Sequence, residues 1–320
     1  MCAMEILVCG ATGSTGGATV DALVATPQFA AKEVRVSALV RDLEGAKAQA
    51  LKTKGVALVE GSFDNKESLM AAMAKADRCF LVCNNVLNQV DLECNVIEAA
   101  EASDACKYLV KISTCGAVVE GAPPYISKDS VIQYGRYHAA IDERLDACTK
   151  LMWTSLRPNY FMQNFIGDVF GTLANKMVAY PHQKDQKATL IDVRDIGDIA
   201  AKMLLLSDEK IGSTYHGKKL DIGGLKSYSI PDIVDIYSKA LKNVPIKLVR
   251  CSEEEFAKGL VGGAGFPEWL ATSVAKSHTV FWEGNATDYQ SPPEIKELHP
   301  KFRTFEEWVA EHAHLVKLVE

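Results

Sequence analysis

The chain predicts an α/β fold: a doubly wound parallel sheet followed by a small C-terminal α/β lobe. Three observations carry this expectation. Short apolar β-type runs alternate with helix-period stretches through the first half, and regular β–α alternation gives parallel strands with helices on both faces. The alternation loosens after Arg157-Pro158, where shorter and less regular elements take over. The first strand breaks into Gly10-Ala-Thr-Gly13-Ser-Thr-Gly16 before a helical stretch, the strand–turn–helix junction that opens a dinucleotide-binding Rossmann unit.

Taken in order, Met4–Cys9 reads as a strand and Thr15–Ala25 as a helix. Glu33–Val40 alternates as a strand and Leu43–Lys54 has helical spacing. The pattern repeats in Val56–Val59 with Asn65–Lys75, in Arg78–Cys83 with Val90–Ala102, and in strand Tyr108–Ser113. Two adjacent prolines and two glycines make Thr114–Asp129 a loop. Helix Ser130–Cys148 and strand Met152–Leu156 follow. Beyond them we expect helix Asn164–Asn175, strands Met177–Ala179 and Ala188–Ile191, helix Arg194–Leu206 and an extended Tyr215–Ile222. Pro231 sits in the first turn of helix Ile230–Lys242, as helix starts favour. Ile246–Val249 is a strand, and Ser252-Glu-Glu-Glu255 is a capping box. Gly262-Gly-Ala-Gly265 and Pro267 separate that helix from helix Glu268–Phe281, and the tail Thr304–Leu318 is amphipathic. This reading divides the chain into a nucleotide-binding unit over 1–160, to which 188–222 returns, and a smaller substrate-binding lobe over 161–187 and 223–320.

Composition narrows the function. The 320 residues are 48% hydrophobic and 24% charged, with a net charge of −6 and no basic run, which argues against a nucleic-acid or anionic-membrane surface. No apolar stretch is long enough to span a bilayer, and the N-terminus enters a strand at once, which predicts no signal or transit segment. Nine scattered cysteines, none in a Cys-x-x-Cys pair or a zinc-like cluster, fit a reducing compartment, the cytoplasm, and predict no metal. Cys115, after a strand in the expected cleft, is the one thiol worth testing, with an unreactive thiol the simpler reading. The expected partner is a small-molecule substrate; the oligomeric state is left open.

The glycine turn identifies the first ligand. Gly10 allows the tight turn, Gly13 leaves room for a pyrophosphate, and Gly16 lets the helix pack on the sheet. Thr12, Ser14 and Thr15 complete the turn, where helix N–H groups attract an anion. An NAD site places an acid at the end of the second strand; here Val40 is followed by Arg41. A guanidinium holds a phosphate with two parallel bonds, so the expected cofactor is NADP(H) rather than NAD(H), with Thr12, Arg41 and Lys47 around the 2′-phosphate. Asp42 is the complication, since it could reach a ribose hydroxyl. Phe63 packs either on adenine or in the core, and Asn84, past the fourth strand, is a further cofactor candidate.

The chemistry is less regular. A conventional short-chain dehydrogenase uses Tyr-x-x-x-Lys on the helix after the fifth strand, with a hydroxyl ending that strand. Ser113 and Thr114 supply the hydroxyl, but the helix carries Tyr134-Gly-Arg-Tyr-His138. Tyr134 and His138 share one helical face. They are the catalytic candidates, with His138 expected to face the cleft and also to touch the cofactor. A neutral His supplies no permanent charge, though it can act as an acid or donate a hydrogen bond. Arg136 and Lys128 are the cations near Tyr134 in sequence. Asp142, four residues after His138, either orients the ring or forms an ordinary surface pair.

The set Gly10-Ala-Thr-Gly-Ser-Thr-Gly16, Leu39-Val-Arg41, Leu156-Arg-Pro-Asn-Tyr-Phe-Met-Gln-Asn164, Asp192-Val-Arg-Asp195-Ile and Arg303-Thr-Phe-Glu-Glu-Trp308 resembles the NmrA-like family of atypical short-chain dehydrogenases, across nearly the whole chain. Members include NADPH-dependent quinone, triphenylmethane-dye and isoflavone-type reductases, and redox sensors that bind NADP without turnover. The resemblance implies that Pro158, Asn159, Tyr160 and Phe161 lie beside the nicotinamide and that Asp195 anchors its helix. It puts His138 where isoflavone-type reductases carry a catalytic lysine, whereas quinone and dye reductases share the His followed by an acid. Ser62 departs from the Asp that many members carry after the glycine ending the third strand. The expected function is an NADPH-dependent oxidoreductase transferring hydride to a conjugated or quinone-like acceptor, in a pocket of the Thr114–Asp129 loop, Tyr160, Phe161, Phe165, Phe266 and Trp269. The alternative is a non-catalytic NADP(H)-binding redox sensor.

Overall fold

The computed structural model describes residues 3–181 and 185–319. Its first half runs β1 (Met4–Cys9), α1 (Ser14–Val24), α2 (Pro27–Ala30), β2 (Val34–Val40), α3 (Ala46–Thr53), β3 (Ala57–Glu60), α4 (Lys66–Met73), β4 (Arg78–Leu81), α5 (Gln89–Ala102), β5 (Tyr108–Ile112), α6 (Gln133–Asp146) and β6 (Met152–Pro158). The second half adds β7 (Tyr160–Phe161), α7 (Ile166–Phe170), β8 (Met177–Tyr180), β9 (Ala188–Ile191), α8 (Val193–Leu204), α9 (Asp208–Lys210), β10 (Lys218–Ile222), β11 (Ser227–Tyr228), α10 (Ile230–Ala240), β12 (Lys247–Arg250), α11 (Glu253–Ala264), α12 (Glu268–Lys276), α13 (Pro293–Leu298) and α14 (Phe305–His312).

Seven parallel strands form one sheet in the order β10-β6-β5-β4-β1-β2-β3. The chain winds outward one way from β1 and the other way from β4, so β1 and β4 flank the switch point at which a crevice opens beyond the strands' carboxyl ends. Side chains alternate across the sheet. Ile6 and Val8 of β1 join Tyr108, Val110 and Ile112 of β5 in the core beneath α1 and α8. Leu7, Cys9 and Leu109 join the core beneath α4, α5 and α6. Lys111 therefore falls on the α5/α6 face.

Helix α8 crosses α1 with almost no separation: a Cβ on Gly197 would stand 2.6 Å from the Ala18 carbonyl carbon. Asp192 caps α8 through the Arg194 N–H. Asp195, fully buried, accepts from the Arg303 backbone N–H (3.0 Å) and guanidinium (2.6 Å) and meets His299 Nε2 at 3.1 Å. Among the described residues, Asp195, Asp198 and His299 are the one grouping whose ligand atoms could converge on a metal, but the Arg303 guanidinium already bridges the two carboxylates.

The later half departs from the periodicity in instructive places. Residues 188–191, expected in the main unit, form β9 of a separate three-stranded sheet, β11-β9-β7. Ala188 and Leu190 pack with Phe165, Tyr228 and Trp308, whereas Ile191 joins the core under the main sheet. Conversely, Ile295 of α13 joins the core under the main sheet. The expected helix 164–175 is broken into a 3₁₀ turn, the five residues of α7 and a second 3₁₀ turn. Helix α6 starts at Gln133 instead of Ser130, because the Ser130 hydroxyl is drawn back to the Tyr125 carbonyl at 2.7 Å. The capping boxes at Ser229, Ser252 and Thr304 form.

Candidate active site

The cleft edge is built from the ends of five neighbouring strands. At β1, Gly10 has φ +88°, and a Cβ there would meet the Val82 carbonyl oxygen at 2.3 Å. A Cβ on Gly16 would fall 2.2 Å from the Gly10 oxygen. Only glycine fits either position. Gly13 differs: its nearest neighbour would be the Gly10 oxygen at 3.4 Å, so the turn is open on that side. Thr12, Gly13 and Ser14 are exposed while Thr15 is buried. Helix α1 starts without a side-chain cap, which leaves its first N–H groups available to an anion.

At the end of β2, Val40 is buried and Arg41 exposed. The exposed Asp42 carboxylate accepts the Glu44 N–H at 2.9 Å and lies against Gly45. Arg41 and Lys47 are exposed cations at this end, beside the exposed carboxylates of Asp42 and Glu44. Phe63 is half-buried against the α4/α5 core, with its carbonyl held by Asn95 at 3.0 Å. Asn84 is exposed on the loop leaving β4.

At β5, Ser113 is buried, yet its hydroxyl has no hydrogen-bond partner. Thr114 beside it is half-buried. Burying a hydroxyl without a partner is unfavourable, so Ser113 Oγ is a group awaiting a ligand. At β6, Pro158 and Asn159 are buried. The Asn159 amide donates to Thr189 Oγ1 (2.8 Å) and the Thr287 carbonyl (2.7 Å), and its oxygen accepts the Tyr160 N–H (2.8 Å). Its side chain thus stitches the sheet to the lobe and fixes where Pro158 and Tyr160 stand.

Helix α6 does place Tyr134 and His138 on its buried face, but their surroundings change the expected chemistry. The Tyr134 hydroxyl hydrogen-bonds the Tyr125 hydroxyl, and burial pushes Tyr134 up to about 12. Neither cation near it in sequence activates it: the Arg136 guanidinium donates to the Ser130 carbonyl at 2.5 Å, and Lys128 is exposed. A tyrosine so placed is a poor proton donor near neutrality.

His138 is almost fully buried. Its Nδ1 lies 2.9 Å from Lys111 Nζ, and its Nε2 lies 3.4 Å from Gln89 Nε2. Burial, reinforced by the Lys111 and Arg157 cations, holds it well below its ordinary value, so it is neutral. Asp142 does not orient this ring. It takes the Arg157 guanidinium at 2.5 Å and the Ser155 hydroxyl at 3.3 Å.

Lys111, Glu93 and Gln89 form a buried polar group that sequence reasoning missed. Lys111 Nζ also reaches the Ile112 carbonyl at 3.2 Å and Glu93 Oε2 at 3.4 Å, with both ionic side chains 0% exposed. Gln89 donates to Glu93 Oε1 at 2.8 Å. The available signal was a lysine inside the otherwise apolar run Tyr-Leu-Val-Lys-Ile, together with Gln89 and Glu93 one helical turn apart.

Of the five aromatic residues expected around the acceptor, Phe165 is buried and the other four are half-buried. Phe165 is buried in the lobe, Trp269 packs on Tyr137, and Tyr160 sits among Phe165, His278 and Trp282 with its hydroxyl 3.1 Å from His278 Nε2. Phe161 is half-buried against the main core, and Phe266 is half-buried on the loop after α11. A cavity of about 450 Å³ lies beside β10, lined by Gly116, Ala117 and Val118 of the expected 114–129 loop together with Asp221 and Tyr289 among others. Cys115 is buried with its thiol beside the Tyr289 hydroxyl at 3.4 Å; burial pushes it up to about 11, as an unreactive thiol requires.

The sequence profile of the NmrA-like family matches residues 3–309. The chain belongs to the NmrA-like family. Among NmrA-like and related proteins, it is 28% identical to an NAD(P)H azoreductase from Xenophilus azovorans, covering 96% of this chain and 98% of that one. Its fold is similar to an NADPH-dependent quinone oxidoreductase from Escherichia coli solved with NADPH (TM-score 0.77, 20% identity, 96% of this chain and 99% of that one). It is also similar to a Citrobacter sp. triphenylmethane reductase solved with NADP(H) (TM-score 0.76, 20% identity, 97% and 100%).

Proposed function

We propose that this chain is an NADPH-dependent oxidoreductase that transfers hydride to a small conjugated or quinone-like acceptor. The observation that carries the reading is the line of binding groups along one sheet edge: Arg41 after β2, the open glycine turn after β1, and Ser113 with His138 at β5. The strand order puts three inter-strand steps between β2 and β5, about 14 Å at ~4.8 Å per step, the reach of an extended dinucleotide. The residues fit the group. Arg41 and Lys47 would take the 2′-phosphate, the N–H groups of Ser14, Thr15 and Gly16 the pyrophosphate, and Ser113 Oγ the nicotinamide end, next to Pro158 and Tyr160. Phe63 would flank the adenosine half, and Asn84, after β4, falls between the glycine turn and Ser113 in strand order. The azo, quinone and dye acceptors named for the relatives are conjugated molecules, which supports the same class here.

Bound NADPH supplies the hydride. The protein's part is to hold the two rings in register and keep water out. Tyr134 is a weak acid here, and neutral His138 can donate a hydrogen bond. A quinone or an extended dye needs no strong protein acid, because charge delocalises and solvent completes protonation. The same lack of an activated acid favours, as second reading, an NADP(H)-binding sensor without turnover. Loss of NADPH absorbance on adding a quinone and azo-dye panel separates the two: consumption is expected, and clear binding without consumption selects the sensor. His138→Ala should lower turnover of carbonyl acceptors more than of quinones; unchanged rates for both would leave His138 a packing residue. We place the protein in the cytoplasm, supported by eight described cysteines that are all free thiols. Among the described residues no helix is long and apolar enough to cross a membrane.

A further inference from the structure

A lysine at the centre of a buried parallel strand needs a reason. Removing an ammonium and a carboxylate from water costs several kcal/mol each, and a hydrophobic pair of similar volume is often as stable or more so. Lys111 and Glu93 are both fully buried, so stability alone does not account for them. What distinguishes Lys111 is its third partner, His138 Nδ1. His138 occupies the position of the lysine in a Tyr-x-x-x-Lys pair. The missing ammonium is therefore present, moved from the helix to the adjacent strand and set behind the imidazole.

The hydrogen-bond directions define what this does. An ammonium only donates, so His138 Nδ1 accepts, and a neutral ring must carry its proton on Nε2. The neighbour recorded at Nε2 is Gln89 Nε2, itself a donor engaged with Glu93, so it offers that N–H no acceptor. Gln89 is the first residue of α5, at the strands' carboxyl edge where the cleft opens. Ser113, two residues past Lys111 and so on the same sheet face, also has a buried hydroxyl with no partner. Ser113 Oγ is thus unpaired, while His138 Nε2 meets Gln89, whose own Oε1 is also buried without a partner.

We propose that Lys111 is a positioning residue: held by Glu93, it locks His138 in the Nε2–H tautomer and so presents a neutral donor to the nicotinamide riboside of the bound cofactor. The proposal rests on the oxidoreductase reading for its ligand, not for the lock. The groups facing His138 are Lys111 from β5, Arg157 from β6, and Gln89 with Glu93 from α5. Both cations oppose a second proton on the ring, while Glu93 is taken up by Lys111 and Gln89.

Long-range ¹H–¹⁵N NMR of the imidazoles, with His138 assigned by loss of its signals in His138→Gln, reads the tautomer directly. In the full chain, with or without NADPH, we expect an Nε2–H pattern unchanged between roughly pH 6 and 8. Lys111→Met/Glu93→Gln removes both charges together, which keeps the core neutral and the fold testable by its thermal transition. In that variant His138 should lose its fixed tautomer and titrate, and kcat/KM for quinone reduction should fall roughly tenfold or more. A ring that keeps Nε2–H without Lys111, or a changed tautomer with unchanged kcat/KM, overturns the proposal. A wild-type chain that ignores NADPH sinks the oxidoreductase reading separately, while turnover with an Nδ1–H ring sinks only the lock.

Discussion

At β1 the structure offers a ligand bare backbone, whereas at β5 it offers side chains whose charges are already paired inside the protein. The first end works by omission: Gly10 and Gly16 are fixed by contacts of 2.3 and 2.2 Å that a Cβ would make, and Gly13 leaves space. The second works by arrangement: Lys111, Glu93, Gln89 and His138 form a connected buried group, with Ser113 nearby and unpaired. The difference teaches that the phosphate end is intolerant of volume, while the nicotinamide end is intolerant of a change in charge or hydrogen-bonding direction.

Gly16→Val should break the phosphate end outright. Its side chain has no room against Gly10 and Ala11, and overpacking of this kind costs about 3 kcal/mol or more. Urea unfolding is the measurement, and a wild-type midpoint would refute close packing at this turn. Arg41→Ala tests charge at the same end without touching the fold. It should weaken NADPH by roughly ten- to a hundredfold, the worth of a charge-assisted contact, and leave NADH nearly unchanged. Equal losses for both coenzymes would remove the 2′-phosphate assignment.

Ser113→Ala probes the other end with the opposite signature. Deleting a buried hydroxyl that has no protein partner should leave the Tm unchanged or slightly higher, yet weaken NADPH severalfold, about 1 kcal/mol. A lower Tm with unchanged NADPH affinity would make Ser113 structural. The smallest effect concerns a half-buried carboxyl held by three hydroxyls. Asp168 accepts from Tyr180 (2.5 Å), Tyr237 (3.1 Å) and Thr172 (3.2 Å), and burial pushes it from 3.8 up to about 6. The folded chain therefore holds this proton more tightly than the unfolded one. Its stabilising contribution is complete below the unfolded value of 3.8 and is lost as pH rises through about 6. Asp168→Asn should flatten that slope in thermal unfolding across the window; an unaltered slope would assign it to other groups.

The order of strands and helices in the first half could be read directly, because a parallel sheet covered on both faces imposes short apolar runs and amphipathic helices in strict alternation. The glycine turn was equally plain, since backbone sterics select the residue type. The lobe was harder to read. Residues 188–191 look like any buried strand, and nothing local says whether they pair with β6 or with β7. The aromatic residues expected to line a pocket have the same spacing as core: Phe165 is core, while Tyr160, Phe161, Phe266 and Trp269 are half-buried. Tyr134 and His138 share the buried face of α6, but their surroundings depend on Tyr125 and Lys111, nine and 27 positions away. Asp142 looked like a partner for His138 by spacing, and Arg157 took it because a strand neighbour brings a permanent charge within 2.5 Å.

Gly197 never approaches the cleft, yet its bare Cα is what lets α8 rest on the peptide between Ala18 and Thr19. Any larger residue there would lever α1 off its neighbour and drag the phosphate turn with it. Drift at this remote, silent position would register first as poorer coenzyme retention, with every group that meets the coenzyme still chemically intact.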